Sequence, residues 1–239
     1  MAGGSVEALA WDSQWLGFPV ARFAGAPPAA GGVAAAVRHC REAGVRLLYL
    51  ILDPTDAAAA RAARAAGAWL ADSKLTYELP LLESAPPAAV ASKLHLVRAR
   101  VPTPELEALA RQSGEHSRFR RDARIGTPAF HDLFARWLRQ ALAQGVVWAA
   151  TTADDETVGF LAFGEREGPA RIELLAVAPA ARRRGVAQQL VQAAEFEARR
   201  RGHAGLLVAT QEANGPARHF YERCGFRLRH TEHVYHLWL

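Results

Sequence analysis

The chain is poor in cysteine and in long apolar runs, and each shortage removes a class of protein. Cys40 and Cys224 are the two cysteines in 239 residues. Two thiols cannot build a disulfide framework, so both are expected as reduced core residues. No stretch approaches the roughly 20 apolar residues of a membrane-spanning helix, and no apolar run behind basic residues opens the chain, so a cytoplasmic protein with no membrane partner is expected. G-x-x-x-x-G-K-[ST] does not occur and no G-x-G-x-x-G follows a strand, which removes those two phosphate motifs. His230, His233 and His236 alternate irregularly without a Cys or carboxylate at ligand spacing, so no metal is expected.

What is present is apolar and basic. Half of the residues are hydrophobic, enough for one large core or two modest ones. The formal charge is +5, carried by arginines scattered over predicted helices and loops. They form no aromatic-interleaved stripe, so a polyanionic small molecule fits better than nucleic acid.

Residues 1–80 read as a compact α/β unit. A short strand is predicted at Val20–Ala24 and a helix at Gly32–Ala43, stopping at Gly44. Val45–Leu52 has the continuous apolar character of a strand covered on both faces. An Ala-rich helix then runs to Ala66 and ends at Gly67, and Lys74–Leu79 is a further strand. Residues 81–91, with Pro86-Pro87, form a linker. The second unit covers 92–239. It opens with a strand at Leu94–Val101, a helix capped by Thr103-Pro104, a basic loop Ser113–Gly126 and a helix capped by Thr127-Pro128. Val146–Ala150, Thr157–Phe163 and Arg171–Val177 then make an antiparallel meander.

An internal repeat relates the units. Placing Gly44 on Gly202 without a gap puts Asp56 on Asn214, Gly67 on Gly225 and Tyr77 on Tyr235. Ala63 then falls on Tyr221 and Pro27 on Gly185, so the first unit is a degenerate copy in which the chemistry is lost.

That chemistry centres on Val177-Ala-Pro-Ala-Ala-Arg182-Arg183-Arg184-Gly185-Val186-Ala187, where a strand breaks at Pro179 and a small-residue turn opens a helix. A helix N-terminus offers unpaired N–H groups and the positive end of its dipole. Gly185 and Ala187 let an anion approach, and arginines add charge-assisted hydrogen bonds. The spacing Arg182-x-x-Gly185-x-Ala187, followed by the strand Leu206–Thr210 and by Asn214-x-x-Ala217-x-x-Phe220-Tyr221-x-x-x-Gly225-Phe226, resembles the acyl-CoA signature of the GNAT (Gcn5-related N-acetyltransferase) superfamily.

The resemblance implies an α/β (α+β) GNAT fold at 92–239: a mixed, mostly antiparallel sheet flanked by helices, preceded by the smaller degenerate unit. It also implies acetyl-CoA as co-substrate and direct attack of an amine on the thioester. Leu175, Ala176 and Val177 would hold the pantetheine as a strand-like extension, and Arg182, Arg183, Arg184, Gly185, Val186 and Ala187 the pyrophosphate. Asn214 would cap the following helix and bond the pantetheine arm, with Ala217 beside it. Tyr221, whose phenol is protonated at neutral pH, would give its proton to the departing sulfur. For the base, Glu173 alternates onto the face of Leu175 and Val177, with His219 and His116 as alternatives.

The acceptor side is expected at His116-Ser117-Arg118-Phe119-Arg120-Arg121-Asp122. This run, the opening Leu9-x-Trp11-Asp12 and the closing Val208-Ala209-Thr210-Gln211-x-x-Asn214 resemble the dTDP-fucosamine acetyltransferase subgroup. The implied acceptor is a dTDP-linked amino-dideoxy sugar, with His116, Arg118, Phe119, Arg120 and Arg121 as substrate contacts. Other open readings are a peptide, polyamine or antibiotic amine as acceptor, and a non-catalytic acyl-CoA-binding module. The apolar C-terminal strand His233–Leu239 calls for a partner edge, which points to a homodimer.

Overall fold

The structure, a computed structural model, describes residues 5–24, 31–81, 94–165 and 168–239. In the first unit β1 (Ser5–Ala8), α1 (Ala10–Leu16), β2 (Val20–Ala24), α2 (Gly31–Glu42), β3 (Leu47–Leu52), α3 (Ala57–Ala65) and β4 (Trp69–Pro80) follow in order. Most of the expected linker lies outside the described residues. The second unit contains β5 (His95–Ala99), α4 (Pro104–Ser113), α5 (Arg118–Arg121), α6 (Gly126–Gln144), β6 (Val146–Thr151), β7 (Thr157–Gly164) and β8 (Arg171–Val177). A single 3-10 turn at Pro179–Ala181 leads to α7 (Val186–Arg200), β9 (Gly205–Gln211), α8 (Gly215–Arg223) and β10 (Arg227–Trp238).

Local chemistry places most of the boundaries. Asp56 caps α3 by accepting the Ala59 N–H at 2.9 Å, and Thr103 caps α4 through the Leu106 N–H at 3.3 Å, with Pro104 in the first turn. Three expectations change. β1 and α1 occupy a stretch to which no element was assigned, α1 ending on Gly17 in the left-handed conformation. The basic loop contains the short helix α5, capped by Ser117. Thr127 caps nothing: α6 starts a residue earlier, and the Thr127 hydroxyl instead accepts a hydrogen bond from Arg120 Nη1 at 3.2 Å.

The ten strands among the described residues join one sheet in the order β1-β2-β3-β10-β4-β9-β8-β7-β6-β5. Alternation along β7 separates two cores: Leu161 and Phe163 face α7 and α8, whereas Phe160 and Ala162 face α4 and α6. Along β3, Leu48, Leu50 and Leu52 pack against α2 and α3, while Leu47 and Tyr49 share the opposite face with α1, α5 and α6.

The last strand of each unit pairs with the other unit. β10 lies antiparallel to β3 with Tyr235 opposite Leu50, and β4 lies antiparallel to β9 with Tyr77 opposite Val208. These two pairings are the same pairing under the repeat read from the sequence. The final tyrosines follow suit: Tyr77 donates to Glu222 on α8 at 3.0 Å, and Tyr235 accepts from Arg64, the repeat equivalent of Glu222 on α3, at 3.1 Å. The expected dimer edge is thereby corrected. β10 sits inside the sheet, between β3 and β4, with Tyr235 and Leu237 buried. Its apolar residues find their partner edges within the chain.

Candidate active site

The site begins where two parallel strands separate. β8 and β9 are paired at Arg171 with Leu207 and at Ile172 with Val208, and no further. Beyond that point β8 runs on to Val177 alone on this side. The Ala178 N–H is used by Val158 of β7, so the backbone groups of Val177 point the other way, into the gap. Two side chains take the Val177 carbonyl: Gln112 Nε2 donates to it at 2.8 Å from the end of α4, and Arg182 Nε at 3.2 Å. Gln112 escaped the sequence reading because nothing near it marks it as more than a helix-end glutamine.

The turn after β8 presents the start of α7. Gly185 has φ +78°, and no side chain among the described residues caps the helix, which leaves its first N–H groups without a cap partner there. Nothing stands within 4 Å of where a Gly185 Cβ would be, so glycine is required by the backbone conformation. Arg183 also adopts a positive φ, 61°, and Arg182, Arg183 and Arg184 are exposed around the turn. Val186 is buried against the core, and Ala187 is half-buried in the first turn of α7.

Across the gap, Asn214 caps α8 by accepting the Ala217 N–H at 3.3 Å, and Pro216 occupies the first turn. Tyr221, on the inward face of α8, is buried between Phe220 and Phe226, with ring centroids at 5.2 Å and 5.5 Å. It belongs to the same core as Val186, with Leu175, Val177 and Ala217 packed against that core. Its hydroxyl forms no hydrogen bond to a described residue, and burial, with Cys224 nearby, pushes the phenol above the ordinary tyrosine range. Such a group is a proton donor at neutral pH and not an anion.

Glu173 is not brought to this place. The β7–β8 register passes from Ala162 opposite Leu174 to Phe163 opposite Ile172, so Glu173 is the extra residue of a β-bulge. The bulge breaks the alternation that would align it with Leu175 and Val177. Its carboxylate lies against Gly164, 2.4 Å from where a Cβ there would sit, toward the start of β8. His219 bonds the Gly215 carbonyl on the outside of α8, and His116 is exposed after α4.

The basic run around α5 faces the first unit. Arg118 stacks over Tyr49 at 4.0 Å from the ring centroid and brings Nη1 to 3.2 Å from His236 Nε2. His236 Nδ1 is 2.6 Å from Asp122 Oδ2, which also accepts from Trp238 Nε1 at 3.0 Å. Arg118 can only donate, so Nε2 accepts and the proton sits on Nδ1. Burial drives His236 down to about 4 despite the Asp122 hydrogen bond, so the ring is neutral. Tyr49 donates to Asp12 at 3.3 Å, and Arg121 Nη1 donates to the Ala71 carbonyl at 2.8 Å. Arg120 stays outside, on Thr127. Phe119 is buried edge-on against Trp15 at 5.5 Å. Asp12, Tyr49, Asp122 and His236 were missed as a group because five different elements bring this network together.

The profile of the acetyltransferase (GNAT) family matches residues 111–226, which contain the separated strands, the Gly185 turn and Tyr221. This segment is a GNAT-family domain. The chain also resembles the spore coat polysaccharide biosynthesis protein SpsD of Bacillus subtilis, at 28% identity over 135 residues covering 54% of this chain and 45% of that protein. It thus spans under half the length of that relative. Among solved structures it resembles the GCN5-related N-acetyltransferase of Sphaerobacter thermophilus, with TM-score 0.64, 16% identity and coverage of 99% and 77%. It also resembles a tandem GNAT protein from the clavulanic acid biosynthesis pathway, with TM-score 0.61, 17% identity and coverage of 92% and 75%. At these identities the likeness is one of fold, and it extends over both units.

Proposed function

We propose that the chain transfers an acetyl group from acetyl-CoA directly to a primary amine, and that the acceptor is a dTDP-linked amino-dideoxy sugar. The observation that carries the reading is the gap between β8 and β9, bordered by the uncapped start of α7 at Gly185 and by the unbonded phenol of Tyr221. An open strand edge suits an extended amide-bearing arm, and the α7 terminus with Arg182, Arg183 and Arg184 suits a pyrophosphate. Orientation across the gap supplies most of the rate, and Tyr221 protonates the departing sulfur.

The degenerate first unit at 1–80 supplies walls to the acceptor side rather than a second donor site. Its parallel pair β2–β3 places Phe23 opposite Leu50, as Ile172 stands opposite Val208 in the second unit. The sugar acceptor is supported by the polysaccharide-biosynthesis relative and by the guanidinium groups of α5, which suit a nucleotide pyrophosphate.

The test is CoA release from acetyl-CoA, read as free thiol, with dTDP-amino sugars, the same sugars without nucleotide, polyamines, aminoglycosides and short peptides. Turnover confined to nucleotide-linked sugars is expected. Turnover only on peptides or polyamines would refute the sugar acceptor, and silence with tight CoA binding would refute catalysis.

A further inference from the structure

We infer that Asp72, a residue of the first unit, is the carboxylate that takes the proton of the acceptor ammonium. The inference rests on the acetyl-transfer reading above. It starts from the register: Lys74 pairs with Gln211, and the Ser73 carbonyl accepts the Glu212 N–H at 2.8 Å, so Asp72 borders the end of β9 that has left β8. The crossed strands thus bring a first-unit carboxylate to the mouth of the second unit's gap.

Its surroundings single it out. Asp72 is only 5% exposed, yet no cation lies within 4 Å of its carboxylate and no side chain hydrogen-bonds it among the described residues. Its one polar support is the amide of Ser73. The other groups facing it are committed elsewhere. From β10, Glu232 is held by Lys74 and His236 by Asp122; from α1 and β3, Asp12 and Tyr49 hold each other. From α5, Arg118 is engaged by His236 and Arg121 by Ala71. A largely buried carboxylate supported by a single amide and paired with no cation is costly, and an arriving ammonium removes that cost. Arg118 and Arg121 each use one of their five N–H donors in these bonds, and the remaining donors suit the anionic remainder of the same acceptor. Burial lifts Asp72 to about 6, against the pull of Arg118, Arg121 and Lys74, which suits a base working near neutrality.

The step balances. Asp72 removes one proton from the ammonium, and the freed lone pair forms the C–N bond at the thioester carbonyl. Collapse of the adduct breaks the C–S bond, the sulfur takes the Tyr221 proton, and the acylated nitrogen returns a proton to the Tyr221 oxygen. One proton leaves through Asp72 in each turnover.

The experiment uses the full chain and Asp72→Asn, with acetyl-CoA and dTDP-4-amino-4,6-dideoxygalactose as probe. Initial rates are measured from about pH 5 to about pH 9, with CoA affinity measured by calorimetry. Expected are unchanged CoA affinity, a loss of about 100-fold or more in kcat/KM for the acceptor, and disappearance of an acidic limb that the wild type shows near pH 6. A variant within about threefold of the wild type that keeps the limb overturns the assignment. If Asp72→Asn loses CoA affinity, Asp72→Ser is read by the same two criteria. A wild type that acetylates no amine in the wider panel overturns the acetyl-transfer reading and this one with it. An active wild type with an unaffected variant overturns only the role of Asp72.

Discussion

Lys74 Nζ lies 2.9 Å from Glu232 Oε2, and the two residues occupy the same position of the repeat. They face each other because β4 and β10 cross about a pseudo-twofold axis that passes between them: Arg227 pairs with Glu78 and His236 with Trp69, each the image of the other. The irregularities obey the same axis, since the bulged residues are Arg229 on β10 and Ala71 on β4, which are also repeat equivalents. A residue opposite its own counterpart cannot form an ion pair while the two are identical. Here the two are a lysine and a glutamate, and the pair forms.

Reversing one member of that pair should therefore hurt. Lys74→Glu sets two carboxylates opposite each other and is expected to cost about 1 kcal/mol, the pair being partly exposed. Adding Glu232→Lys should restore most of it. Urea unfolding of the three variants checks this, and additive losses would refute the pairing.

Tyr221→Phe removes a hydroxyl that bonds no described residue, so its effect on thermal stability is expected to be small. Turnover should fall by about 10²-fold or more while CoA affinity holds. Unchanged turnover at saturating substrates would remove Tyr221 from the chemistry.

Gly185→Ala forces a side chain into a left-handed conformation without any clash, so the penalty is conformational, about 1–2 kcal/mol. If the turn relaxes to escape it, a charge-assisted hydrogen bond to the pyrophosphate is lost and CoA binds about tenfold more weakly. Calorimetric titration of CoA into the variant tests both halves.

The neutral His236 makes stability depend on pH in a set direction. Its folded value of about 4 is below the ordinary histidine value of about 6.5, so the unfolded chain binds the proton first. Stability from this residue is complete above about 6.5 and is lost as pH falls toward 4. Asp72, lifted to about 6, acts with the opposite sign in part of that window, so the comparison is between wild type and His236→Gln. The stability difference between them should shrink on acidification; a constant difference would show that His236 does not titrate as buried.

How much of this the sequence disclosed follows from how far each feature reaches along the chain. Thr103 and Asn214 were legible as caps because each bonds an amide three residues on. Gly185 was legible because the turn and the helix it opens are contiguous. Glu173 was misread because a bulge is a property of two paired strands, and Thr127 because Arg120, across a turn, claims its hydroxyl. Asp72 and His236 gave no signal at all, being polar residues in otherwise ordinary strands whose neighbours come from α1, β3 and α5. The repeat was visible in the spacing of Gly44 and Gly67, but the crossing of its final strands was not, since either pairing satisfies the same alternation.

That crossing also orders the birth of the molecule. β10 is translated after every other strand of the sheet, yet its place is in the middle, between β3 and β4. Until it arrives, β3 has a bare flank and β4 is held only through β9, so the first unit waits on the ribosome with its sheet unfinished. The last strand made closes both halves in a single event, and a chain stalled before Arg227 would leave the two halves linked without their shared centre.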